Sequence, residues 1–234
     1  MSGEKYIIIT KGIGAAVVAY VVYKLVKRCL SKEDDDEYFK YIKWKGGEKE
    51  RHILVLGLPN AGKSRLIHCF QPNLCPNDLL PQPSPTLGFC VKTVGIAGVN
   101  YHFYEGSYSS MWHISADIIL WVVDSSDHAA ISQSTEALHQ WIVKVDFVSR
   151  LKSEDGLAKS LYGVPVVIVA AKQDISDSIS PDDVLRELNV EKLRLKHRVY
   201  IVGTRIPDKG HRQGLWRLYE LITYMEKERF FEKN

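Results

Sequence analysis

The chain has 234 residues, 45% of them hydrophobic, and a formal net charge of +3. That length and apolar content suit one α/β domain of ordinary size plus an extension, and no basic block is long enough to track a phosphate backbone, so nucleic acid is not an expected partner. Cys29, Cys69, Cys75 and Cys90 form no CxxC pair; His68 and Cys69 beside Cys75 could ligate a metal, but on the usual ligand spacings buried or incidental side chains are the better reading, and reduced thiols in the cytosol fit best.

Residues 6–26 read YIIITKGIGAAVVAYVVYKLV. As a helix this run would be about 31 Å long, close to the hydrocarbon thickness of a bilayer. Lys11 and Lys24 confine the uncharged stretch to residues 12–23, but lysines near the ends of a span can snorkel to the interface. A single transmembrane helix within residues 1–29 is the expectation, with a buried helix or a signal peptide as alternatives; no small-residue cleavage site follows the run. Lys24, Lys27, Arg28 and Lys32 outnumber Lys5 across it, so the remainder is expected in the cytosol. An anchor of this kind suits the endoplasmic reticulum and other endomembranes or the mitochondrial outer membrane. Ser2 breaks the N-myristoylation pattern, while Cys29 is a candidate for palmitoylation.

Residues 30–50 form a linker. It opens on the acidic run 33–37, continues as EYFKYIKWK and closes on Gly46 and Gly47, read as a flexible joint. The aromatic and basic residues between these ends either lie in the headgroup region or form a short helix packed on the domain.

From residue 51 to 230, with 231–234 as a tail, apolar runs alternate with helical patterns, the order of a mainly parallel sheet covered on both faces. Six strands are expected at 52–56, 91–96, 101–104, 118–123, 164–170 and 199–202. Leu138, Trp141, Ile142, Val145 and Val148 mark one face of a long helix, and Leu215, Leu218, Leu221 and Met225 mark the last one. Residues 152–160 read as a surface insertion. Between the first strand and a helix starting near Ser64 stands Gly57-Leu58-Pro59-Asn60-Ala61-Gly62-Lys63-Ser64, a complete GxxxxGK(S/T) phosphate loop. Its glycines let successive N–H groups wrap an anion; Lys63 is placed for β/γ-phosphate charge and the Ser64 hydroxyl for Mg²⁺.

Further motifs follow in order: Pro85-Thr86-Leu87-Gly88-Phe89, then ILWVVDSSD at 119–127, then Ala171-Lys172-Gln173-Asp174. These resemble the PT-x-GF, FVVDSxD and NKQD motifs of the Arf and Arf-like small GTPases, and the resemblance runs from 51 to about 230. It implies the P-loop small-GTPase fold, a six-stranded mainly parallel sheet with helices on both faces, and GTP or GDP with Mg²⁺ as cofactors. By the same resemblance Thr86 joins Ser64 on Mg²⁺ and senses the γ-phosphate. Lys172, Gln173 and Asp174 form the guanine motif, Asp174 accepting two hydrogen bonds that adenine has no donors to make, and Gly203 and Thr204 fill the loop beside the guanine oxygen.

The departures matter as much. Where the family has WDxGGQ, this chain has Phe103 to Ser109, reading FYEGSYS. Glu105 replaces the metal-supporting aspartate, no glutamine is available to orient water, and the segment to Asp124 is short. No catalytic residue is therefore assigned, and hydrolysis is expected to be slow or absent. Ala171 replaces an asparagine that ties the base loop to the phosphate loop. The first switch, 71–84, is long and proline-rich. The leading reading is a membrane-anchored regulatory switch that recruits protein effectors through residues 86–89. The alternatives are a pseudo-GTPase scaffold and a docking subunit similar to the signal-recognition-particle receptor beta subunit.

Overall fold

The computed structural model describes residues 42–71, 74, 78–80, 88–107, 115–152, 161 and 163–231. The expected anchor, Thr86 and most of the first switch, residues 108–114 of the second and the insertion from 153 lie outside the described residues. Among the described residues no helix is long and apolar enough to cross a membrane.

Six strands form one sheet: β1 (Lys49–Leu56), β2 (Phe89–Ile96), β3 (Val99–Gly106), β4 (Ile118–Asp124), β5 (Val166–Ala171) and β6 (Val199–Gly203). Their spatial order is β2-β3-β1-β4-β5-β6. β2 and β3 are an antiparallel hairpin, and every other pairing is parallel. All six strands anticipated from hydrophobic pattern are present, most of them longer by one to three residues at an end. Backbone pairing carries a strand past its last apolar residue, whereas patterning marks only the buried stretch.

Among the described residues five helices follow in chain order: α1 (Lys63–Cys69), α2 (His128–Lys152), α3 (Pro181–Glu187), α4 (Glu191–Arg194) and α5 (Leu215–Phe231). The side chains of each central strand divide between two cores, as the two-residue period demands. Ile53 and Val55 of β1 join Leu66 and Ile67 of α1 and Leu215 and Leu218 of α5. Leu54 and Leu56 join Ile131, Leu138 and Trp141 of α2 and Val184 of α3 on the opposite face. In α2, Leu138, Trp141 and Ile142 are buried as expected, and the indole of Trp121 in β4 donates to Ser134 at 3.0 Å. In α5 the buried stripe runs Leu215, Leu218, Ile222 and Met225; Leu221, expected in it, is only partly covered. An i, i+3, i+7 spacing follows the 3.6-residue turn more closely and leaves Leu221 on the margin.

The linker's last residues do not form a flexible joint. Residues 42–47 lie as an irregular strap across the tip of the β2–β3 hairpin, neither as a short helix nor as a free segment. The amides of Ala97 and Gly98 donate to the carbonyls of Lys43 and Lys45, both at 2.8 Å, and the Asn100 side chain donates to the Gly47 carbonyl at 2.8 Å. Ile42 is buried, and Trp44 packs against the α1/α5 core. The glycines are needed for close approach rather than for freedom: a Cβ on Gly95 would lie 2.3 Å from the Gly46 nitrogen, and one on Gly47 would lie 2.2 Å from the Gly98 carbonyl.

Candidate functional site

Because β1, β3, β4, β5 and β6 run in the same direction, their C-terminal ends share one edge of the sheet. Ligands of open parallel sheets bind at that edge, where several chain segments leave the strands together. Here the edge gathers the phosphate loop after β1, Glu105 at the end of β3, Asp124 at the end of β4, residues 171–174 after β5 and Gly203 and Thr204 after β6.

The loop's geometry follows from its sequence. Gly57 has φ 139°, and a Cβ there would come within 2.2 Å of the Val122 carbonyl in β4, so only glycine lets the chain turn out of β1 at this point. Asn60 takes the left-handed conformation at φ 61°, as does Gly62 at φ 100°, the residue that starts α1. Between these turns Pro59 sits at the exposed crest, Leu58 is half-covered and Ala61 is buried. The Lys63 ammonium is drawn back over the loop, donating to the carbonyls of Leu58 at 2.7 Å and Gly57 at 3.1 Å. Burial pulls its pKa below the ordinary lysine range, while the neighbouring Glu105 carboxylate pulls it upward.

Glu105 is a buried carboxylate, 6% exposed. Parallel pairing sets it opposite Val55, and from there its Oε1 accepts a hydrogen bond from the Ser64 hydroxyl at 2.6 Å. A hydroxyl and a carboxylate side by side at a phosphate loop are the oxygen-only donors that a hard divalent cation takes, so the residues present fit Mg²⁺. Thr86, the third expected ligand, lies outside the described residues. Ser107 follows β3 directly.

On the base side, Lys172 adopts a left-handed conformation, φ 62°, and its ammonium pairs with Asp124 at 2.5 Å. Gln173, the middle residue of the motif, turns its side-chain amide inward, donating to Ser125 at 2.7 Å and to the Ile179 carbonyl at 2.8 Å. The physical reason is that Ser125 is wholly buried and the amide supplies its hydroxyl with a partner. The Asp174 carboxylate accepts from the Ile206 amide at 3.3 Å. The amide of Gln173 donates to the Thr204 carbonyl at 3.0 Å, which joins the β5 loop to the β6 loop. Gly203 is a close-packed position, since a Cβ there would meet the Pro181 ring of α3 at 2.7 Å. Across the site, Ala171 faces the phosphate loop, its methyl 3.7 Å from where a Cβ on Gly62 would be. Arg65 of α1 bonds the Ile206 carbonyl at 3.3 Å and pairs with Asp208, linking the two halves of the site.

Asp124 and Ser125 were assigned no role from sequence, although the DSSD stretch that contains them was one of the motifs. No residue type there announces a task, and only the pairing of β4 with β5 brings them to the base loop.

Comparison with known proteins shows the family. The ADP-ribosylation factor-like protein 2 of Arabidopsis thaliana is 30% identical over 168 residues, covering 69% of this chain and 80% of that protein. The protein alp41 of Schizosaccharomyces pombe, also ADP-ribosylation factor-like, is 26% identical over 164 residues, covering 67% of this chain and 78% of its own. Among solved structures, the small GTPase Arl6 (BBS3) of Trypanosoma brucei, with a bound nucleotide analogue, superposes with a TM-score of 0.55 at 18% identity over 77% of this chain and 97% of its own, a likeness of fold. With the model of the ADP-ribosylation factor family matching residues 38–222, the chain belongs to that family of small GTPases.

Proposed function

We propose that this protein is a membrane-anchored GTP-binding switch that hydrolyses its nucleotide slowly or not at all. The observation that carries the reading is the convergence, at one sheet edge, of Lys63, Ser64 and Glu105 with a base loop that presents Asp174. Phosphates would lie along the amides of the phosphate loop under the Lys63 ammonium. Ser64 and Glu105 would hold Mg²⁺, whose charge neutralises the phosphates when it is bound. The Asp174 carboxylate would accept from the adjacent N1–H and 2-amino donors of guanine, a pair that adenine lacks, and so would select guanine over adenine. No glutamine follows Glu105 in the second switch to hold water in line with a γ-phosphate, so nucleotide exchange, rather than turnover, would set the state of the switch.

Residues 1–29 would hold the protein permanently in an endomembrane or the mitochondrial outer membrane, with this domain in the cytosol. Effectors would dock at the first switch, where Phe89 stands 52% exposed at the start of β2. The direct bond between Ser64 and Glu105 favours a second reading, a pseudo-GTPase scaffold whose site is held together by its own side chains. Mass spectrometry of nucleotide released from the native protein separates the two. Bound GTP or GDP supports the switch, and empty protein that gains no thermal stability from added GTP and Mg²⁺ supports the scaffold.

A further inference from the structure

β4 and β5 pair in parallel up to Asp124 and Ala171, so the two residues that leave β4 lie beside the loop that leaves β5. Asp124 is fixed by both its oxygens: Oδ2 accepts from Lys172 at 2.5 Å, and Oδ1 accepts from the Ser126 hydroxyl at 2.7 Å and the Ser126 amide at 3.1 Å. Ser125 is 0% exposed. Its amide donates to the Ala171 carbonyl at 3.1 Å, its hydroxyl donates to the same carbonyl, and that hydroxyl accepts from Gln173 at 2.7 Å. Its own carbonyl accepts from the Ile179 amide at 2.9 Å, which fixes the far end of the loop. Three successive residues, 171 to 173, are thus tied to the last residue of β4 and the one that follows it, immediately before Asp174.

The ties have something to hold. Lys172 is a non-glycine residue in the left-handed region, a conformation that persists only where its surroundings impose it. Residue 171 carries a methyl group, so its side chain offers no hydrogen bond to the phosphate loop. We propose that Asp124 and Ser125 are positioning residues for base recognition: they hold residues 171–173 from the β4 side and thereby aim the Asp174 carboxylate. Burial would raise the Asp124 carboxyl, but hydrogen bonds from Lys172 and Ser126 outweigh it and keep the group ionised below the usual carboxylate range.

This inference rests on the reading of Asp174 as the guanine acceptor, and the two can fail separately. Equilibrium affinities for GDP and ADP, which share a diphosphate and differ in the base, are measured by competition against a fluorescent GDP. Wild type, Asp124→Asn and Ser125→Ala are compared with their nucleotide-free melting temperatures. GDP affinity falls about tenfold in each variant while ADP affinity is unchanged, so discrimination shrinks by the same factor. Asp124→Asn leaves the buried Ser125 and its bonds in place and keeps the test open if the Ser125 variant does not fold. Equal losses for GDP and ADP, or no loss in folded variants, overturn the proposal. A wild type that does not prefer GDP over ADP overturns the guanine reading and the proposal with it. A wild-type preference that survives in the variants sinks the proposal alone.

Discussion

Replacing Ala171 with asparagine adds a hydrogen-bonding side chain where the base loop faces Gly62 of the phosphate loop. The Ala171 methyl is 3.7 Å from the position of a Cβ on Gly62, so an amide beyond the Cβ of residue 171 reaches the main chain of the phosphate loop. One to two hydrogen bonds at about 1 kcal/mol each give a gain of roughly 5- to 30-fold in GDP affinity. The opposing term is burial: Ala171 is 5% exposed, and an amide that failed to find partners there would cost about 1–3 kcal/mol of stability. Titration with a fluorescent GDP, with thermal unfolding of the nucleotide-free protein alongside, reads both. Tighter binding at an unchanged melting temperature is the expected result. A well-folded Ala171→Asn protein with unchanged or weaker GDP affinity would show that the two loops are not within bonding reach and that the β4 ties already do all that the asparagine could.

Lys63→Ala is expected to abolish measurable GTP binding by calorimetry, because no other described ammonium bonds to the phosphate loop; unchanged affinity would leave the loop without a phosphate-binding role. The pairing of Asp124 with Lys172 makes stability depend on pH in acid. A carboxyl depressed on folding contributes above its unfolded pKa of about 3.9 and loses that contribution as pH falls through its lower folded value, so urea midpoints drop over that window and Asp124→Asn flattens the fall. Gly95→Val forces the strap off the hairpin tip, since even a Cβ would lie 2.3 Å from the Gly46 nitrogen. The two backbone bonds lost there are worth about 2 kcal/mol in urea unfolding, and trypsin should cut faster after Lys43 and Lys45. Single-turnover hydrolysis of labelled GTP should run below the roughly 10⁻⁴ per second of unassisted GTPases that have the water-orienting glutamine, and a rate at or above it would give the divergent second switch a catalytic apparatus of its own.

The strands, the phosphate loop and the direction of the sheet were legible because each rests on local chemistry. Burial on both faces writes β4 and β5 as unbroken apolar runs, and the turn out of β1 admits only glycine at residue 57. Long-range proximity left no such mark. Gly46 and Gly47 are read as flexibility in a sequence, and only the hairpin tip they touch makes them close-packed positions. Gln173 belongs to a nucleotide motif by its neighbours, yet its amide is committed to a buried serine 48 positions earlier in the chain. Glu105 was expected at the metal with Ser64 by resemblance, but its direct bond to the Ser64 hydroxyl follows from the register of β3 against β1, which sets it opposite Val55. Periodicity and turn chemistry act between residues a few positions apart and are written in the sequence, whereas a hydrogen bond between distant residues depends on strand register, which the tertiary structure alone decides.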